Sequence, residues 1–144
     1  MEGLIRKDNM AVQVEAEDWE DAVRKVGSLL LRNGLIKETY IDNMISSVKE
    51  LGPYIVLTRG LALAHAAPGD AVNETSLSVM TLAEPVSFGS PNDPVGVMMC
   101  LACKDNSEHM ETLRQVASKL MEKDIISRLQ ACKDTDELYQ LLIS

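Results

Sequence analysis

Between positions 54 and 103 the chain is cut into short apolar pieces, and this interruption limits its fold more than any other feature of the sequence. The segments 54–57, 61–63, 77–82 and 95–101 are too short for stable helices and are separated by turn-forming residues, so they are expected to be strands. The separators are Pro68-Gly69-Asp70, Glu84-Pro85 and the run 89–94, all rich in residues that stop a regular element.

The flanks have a different period. Over 18–32, Trp19, Ala22, Val23, Val26, Leu29 and Leu30 recur at spacings of three and four, the stripe of an amphipathic helix that Asn33-Gly34 ends. Tyr40, Ile41, Met44, Ile45 and Val48 form a second stripe, stopped by Gly52-Pro53 because proline lacks an N–H and disfavours helical geometry in the residue before it. After the strands, Ser107 is expected to cap a helix that buries Met110, Leu113, Val116, Ala117 and Leu120. Two shorter helices follow, over 125–131 and from Asp134 or Thr135 through Leu142. Neither a repeat nor a linker divides the 144 residues, so a single α/β domain over 1–144 is expected, its sheet layered between helices.

Charge and composition narrow the partners. A net charge of −8 repels nucleic acid and anionic membranes and suits a basic protein partner. No apolar run approaches the ~20 residues that cross a bilayer, and positions 1–10 mix Glu2, Arg6, Lys7 and Asp8 with apolar residues, unlike a secretory signal. Three cysteines, an odd number in a chain long enough to stand without staples, fit the reducing cytoplasm. Cys100 and Cys103 lie in an apolar strand-like run whose alternation turns them to opposite faces; with no second pair to complete a metal site, they read as core.

The chain has two histidines, at positions where packing does not need one. His65 lies in the run Gly60-Leu61-Ala62-Leu63-Ala64-His65-Ala66-Ala67-Pro68, whose small residues leave an imidazole uncrowded at a strand end. His109 falls in the first turn of the third helix, where the dipole and unpaired amides favour an anion. A neutral imidazole has a free lone pair that can attack phosphorus, and the phosphoramidate it forms remains a good phosphoryl donor. The residues alone leave a second reading open: a satisfied histidine at a strand end and a solvated one on a helix.

The stretch Gly52-Pro53-Tyr54-Ile55-Val56-Leu57-Thr58-Arg59-Gly60-Leu61-Ala62-Leu63-Ala64-His65-Ala66-Ala67-Pro68 resembles the active-site region of enzyme IIA domains of the bacterial phosphoenolpyruvate-dependent sugar phosphotransferase system, mannitol/fructose class. Val79-Met80-Thr81-Leu82, Pro85-Val86-Ser87-Phe88, Asn92-Asp93-Pro94-Val95 and Arg128-Leu129-Gln130-Ala131-Cys132 extend the resemblance over almost the whole chain, and the Gly-Pro-Tyr and Asn-Asp-Pro-Val pieces are most similar to the ascorbate-type branch. The resemblance implies a three-layer domain with a mixed central sheet flanked by helices on both faces. It implies that His65 accepts phosphate from the histidine-containing phosphocarrier protein, that His109 helps hold it, and that an enzyme IIB serving a membrane permease receives it. Neither metal nor organic cofactor is implied. Family members usually carry proline before the active histidine and often an arginine or glycine soon after it, where this chain has Ala64, Ala66 and Ala67. Lys49 stands where mannitol-type members have arginine, and Arg59 is the nearby candidate to replace it. These departures keep two alternatives in view, a regulatory domain read through the phosphorylation state of His65 and a scaffold that no longer transfers phosphate. Apolar residues near His65, among them Leu61, Leu63 and Ala66, are expected to form a shallow protein-docking surface.

Overall fold

The computed structural model describes residues 4–144. Its elements in chain order are β1 (Met10–Val14), α1 (Trp19–Leu31), α2 (Glu38–Leu51), β2 (Val56–Thr58), β3 (Leu61–Ala64), β4 (Ser76–Val86), β5 (Val95–Ala102), α3 (Asn106–Leu120), α4 (Ile125–Gln130) and α5 (Thr135–Ile143). The strands form one mixed sheet in the order β1-β4-β5-β3-β2. β1 runs parallel to β4 and β3 parallel to β5, while the β4–β5 and β2–β3 pairs are antiparallel.

Strand alternation divides the core into two layers. Ala62, Ala64, Met98, Cys100 and Ala102 face the buried residues of α1 and α2, while Leu61, Leu63, Val97, Met99, Leu101 and Cys103 face those of α3, α4 and α5. Helices on both faces explain why β3 and β5 are buried along their whole length. Cys100 and Cys103 do turn to opposite faces, each in core.

The first two helices follow their stripes. Asp18 caps α1 by accepting from the Asp21 N–H, and α2 ends at Gly52, whose φ of 89° is a conformation that side-chain-bearing residues resist.

The structure corrects the sequence reading at five places. β1 was not expected: Met10–Val14 has five residues and no flanking hairpin turn, and it is held by a parallel ladder to β4, a partner far away in the sequence. Glu84-Pro85 does not end a strand but lies within β4. The ladder shifts register between Thr81 and Val86 and the β1 pairing stops at Leu82, so Pro85 is exposed where the sheet does not need its missing N–H. β2 starts two residues later than position 54, because Tyr54 and Val56 donate their N–H groups to Gly52 and Pro53 in a turn. α3 is capped by Asp105 and not Ser107: the Asp105 carboxylate accepts from the Glu108 N–H, the side-chain half of a capping box. Its buried face is Thr112, Val116 and Lys119 with Leu113 and Leu120 partly covered, whereas Met110 and Ala117 face solvent.

Candidate functional site

The parallel pairing of β3 with β5 creates the site. Ala64 pairs with Cys100, so both strands leave the sheet at the same end, where open α/β sheets commonly place ligands. His65 follows β3 directly, and alternation turns it toward the layer of Leu61 and Leu63, the face covered by α3. α3 starts four residues after β5 ends and carries His109 in its first turn. The two imidazoles therefore meet, their centroids 5.9 Å apart and their planes at 46°.

The ring of His65 has a defined orientation and tautomer. Nδ1 lies 2.7 Å from the Leu63 carbonyl oxygen. A carbonyl can only accept, so Nδ1 carries the proton and Nε2 keeps its lone pair. Burial lowers the pKa of His65 below the usual histidine value; the Leu63 carbonyl works the other way, and the neighbouring His109 adds to the lowering. The ring is thus neutral at neutral pH, half-buried, with one nucleophilic nitrogen.

Two tyrosines surround this ring and the backbone that carries it. Tyr54 stands edge-on to His65, centroids 5.3 Å apart at 86°, and its hydroxyl donates to the His65 carbonyl at 2.9 Å. Tyr40, on α2 and buried, accepts from the Ala66 N–H at 3.0 Å and donates to the Leu101 carbonyl at 2.7 Å. The sequence reading counted Tyr40 as core and Tyr54 as strand; the Gly-Pro-Tyr turn after α2 is the local signal that a tyrosine is delivered at this end of the sheet.

The amides at the start of α3 are less available than the sequence suggests. The Glu108 N–H is taken by the Asp105 carboxylate and the His109 N–H by the Asp105 carbonyl. What His109 brings to the site is its imidazole, at the positive end of the helix dipole. Thr75, just before β4, bonds the Glu108 carboxylate through its hydroxyl and accepts from the Lys104 N–H, which ties the first turn of α3 to the sheet.

Neither proposed arginine substitute reaches His65. Lys49 lies 3.0 Å from Glu20, on the outer side of α2 with its side chain 62% exposed. Arg59 is exposed at the β2–β3 turn, at the opposite end of β3, with about 13 Å of strand between it and His65. The apolar surface around His65 is also built differently from expectation. Leu61, Leu63 and Ala66 are buried in core, Leu61 and Leu63 under the α3–α5 layer and Ala66 under α1 and α2. The exposed apolar side chains next to the two histidines are Tyr54 (37% exposed), packed against His65, and Met110 (60%), which follows His109. Exposed Asp105, Glu108 and Glu111 flank Met110 along α3.

The family model described as "Phosphoenolpyruvate-dependent sugar phosphotransferase system, EIIA 2" matches residues 3–144. The ascorbate-specific PTS system EIIA component of Shigella flexneri is 31% identical over 143 residues, 98% of this chain and 93% of that protein. The solution structure of the mannitol-specific cryptic phosphotransferase enzyme IIA CmtB from Escherichia coli superposes with a TM-score of 0.88 at 25% identity, over 97% of this chain and 95% of that one. The complex of enzyme IIAMTL and phosphorylated enzyme IIBMTL from Escherichia coli includes a chain alike in fold, with a TM-score of 0.85 at 24% identity over 96% of each.

Proposed function

Because the chain belongs to the EIIA 2 family of the phosphoenolpyruvate-dependent sugar phosphotransferase system and is a phosphotransferase of that system, we propose that His65 is the residue on which it carries phosphate. The observation that supports this most directly is the bond from His65 Nδ1 to the Leu63 carbonyl, which leaves Nε2 with its lone pair in a ring whose centroid lies 5.9 Å from that of His109.

The donor in this reading is the phosphohistidine of the histidine-containing phosphocarrier protein. The Nε2 lone pair of His65 attacks phosphorus as the donor's N–P bond breaks, and that bond's electron pair stays on the departing imidazole. One N–P bond replaces another, so the step needs alignment and charge stabilisation and no redox partner. His109 offers an N–H to the phosphoryl oxygens as negative charge gathers on them. The phosphoryl group then leaves for enzyme IIB, the partner with which the similarly folded mannitol IIA was solved. Tyr54 and Met110 supply exposed apolar surface beside the two histidines for docking, and the acids of α3 form a rim suited to a basic partner.

Our reading is that the chain acts in the ascorbate branch, in the cytoplasm, upstream of a IIB and a membrane permease; its likeness to ascorbate-specific components supports the branch. Among the described residues no helix is long and apolar enough to cross a membrane.

The test is incubation with phosphoenolpyruvate, enzyme I and the phosphocarrier. An acid-labile, alkali-stable phosphate should appear and should be absent from His65→Ala. Phosphate on another residue, or none, overturns the assignment. Onward transfer to an ascorbate-type IIB then separates a transport role from a regulatory one.

A further inference from the structure

We propose that Tyr54 and Tyr40 are positioning residues for phosphoryl transfer, holding the single peptide unit between His65 and Ala66 from its two ends; this rests on His65 being the acceptor.

β3 ends at Ala64, and beyond it the chain must bring an imidazole out of the sheet and still aim it. The flanking residues, Ala64, Ala66 and Ala67, have side chains too small to restrain the backbone. The two polar atoms of the following peptide are both taken by tyrosine hydroxyls. The His65 carbonyl accepts from Tyr54 Oη at 2.9 Å, and the Ala66 N–H donates to Tyr40 Oη at 3.0 Å. A peptide unit is planar, so anchoring its O and its N–H fixes its orientation and thereby ψ of His65 and φ of Ala66. The Nδ1–H bond to Leu63 fixes the ring about its own torsions. Together these leave Nε2 one direction in which to point.

The two tyrosines do different parts of this work. Tyr40 is 1% exposed, and it has one hydroxyl proton for two carbonyl neighbours, Leu101 at 2.7 Å and Ala66 at 3.3 Å. The shorter bond goes to Leu101 in β5, the strand that leads into α3 and His109. One hydroxyl therefore holds the peptide after His65 against the strand that carries the second imidazole. Tyr54 reaches the same peptide from the solvent side and packs its ring edge against His65. Because a misplacement of about 1 Å at a reacting centre can lower a rate by up to about a hundred-fold, hydrogen bonds of this kind affect the transfer step more than binding.

Tyr54→Phe removes one oxygen and keeps the ring, so it separates the hydrogen bond from packing. In single-turnover transfer from the phosphorylated phosphocarrier, the rate at saturating donor should fall about ten-fold while half-saturation stays within about two-fold. Nitrogen-15 spectra of the unphosphorylated ring should show protonated Nδ1 and bare Nε2 in the native protein, moving toward tautomer averaging in Tyr54→Phe. Tyr40→Phe should abolish the exchange protection of the Ala66 amide and lower the rate in the same direction; if it fails to fold, Tyr54→Phe still decides. A raised half-saturation with an unchanged rate would assign the Tyr54 hydroxyl to docking instead of positioning and overturn the proposal, as would native ring spectra and native rates in Tyr54→Phe. If the native chain takes no phosphate on His65, the functional reading fails, while the ring spectra and the Ala66 exchange still judge the clamp on its own.

Discussion

Replacing His109 by alanine tests whether the second imidazole stabilises transferred charge. The centroids of His65 and His109 are 5.9 Å apart, so the second imidazole adjoins the ring on which a phosphoryl group would sit. An N–H of His109 donating to a phosphoryl oxygen makes a hydrogen bond to a charged group, worth about 1.5–3 kcal/mol. At about 1.4 kcal/mol per factor of ten, its loss slows transfer about ten- to a hundred-fold. The site is half-open to solvent, and water can replace part of the lost bond, so the low end is expected, about ten-fold. Rapid-quench measurement of phosphate arriving on His65→Ala, His109→Ala and native chains gives the ratio directly. His109→Gln keeps a donor near the same place and should recover part of the rate, whereas His109→Ala should not. Two results refute the reasoning: a His109→Ala rate within two-fold of native, or a loss that glutamine does not reduce.

Other consequences follow from the same geometry. Burial lowers the pKa of His65, so the neutral acceptor persists below the pH at which a free imidazole protonates; acceptance should hold as pH falls through about 6.5 and then decline, with its midpoint displaced to the acid side in the phosphorylation assay. The linked stability has the same sign: a histidine whose folded pKa is depressed contributes stability above its unfolded pKa and loses it as pH falls through the folded one, so native chains should lose more stability than His65→Ala on acidification in urea titrations. Met110→Asp places a charge on the exposed apolar surface beside His109 and should raise half-saturation for the phosphocarrier about ten-fold, seen in the donor-concentration dependence of transfer. Asp93 accepts from the Phe88, Gly89 and Ser90 amides, and these bonds outweigh its desolvation and hold its carboxyl below the usual range; Asp93→Ala should lower unfolding free energy by about 1 kcal/mol, and that contribution should vanish as pH drops through the folded pKa of the carboxyl.

Much of this arrangement is legible in the sequence where local chemistry decides it. The stripes of α1 and α2 carry their period in every turn, and the short apolar runs between turn formers have no alternative to strands. The pair Cys100 and Cys103 can be turned to opposite faces from parity alone. What escapes is decided by distant partners. β1 exists because β4 offers an edge to it, and Pro85 stays in β4 because the ladder shifts there. At α3 two good capping residues stand two positions apart, and it is the Asp105 carboxylate that takes the Glu108 N–H, while Met110 lies on the exposed face. Tyr40 fits a helix stripe so well that its hydroxyl is invisible until Ala66 and Leu101 are seen beside it.

The chemistry of a relay makes two demands that oppose each other, and the site reconciles them by separating support from exposure. A nucleophile that must meet another protein has to stand at the surface, where water and thermal motion blur its aim; one that must transfer phosphorus in line has to be fixed. Here the support lies below the surface, in the Leu63 carbonyl under Nδ1 and in Tyr40 under the following peptide, while the ring itself is only half-buried. The charge balance is consistent with a relay as well. Lys49 is drawn to Glu20 and Arg59 sits at the far end of β3, so neither cation clamps the group that His65 would carry. A phosphoryl group held by a neutral imidazole and a helix dipole, on a chain with a net charge of −8, is bound less tightly than one in a guanidinium fork. For a carrier that has to give its cargo away, weaker retention lowers the barrier to the next transfer.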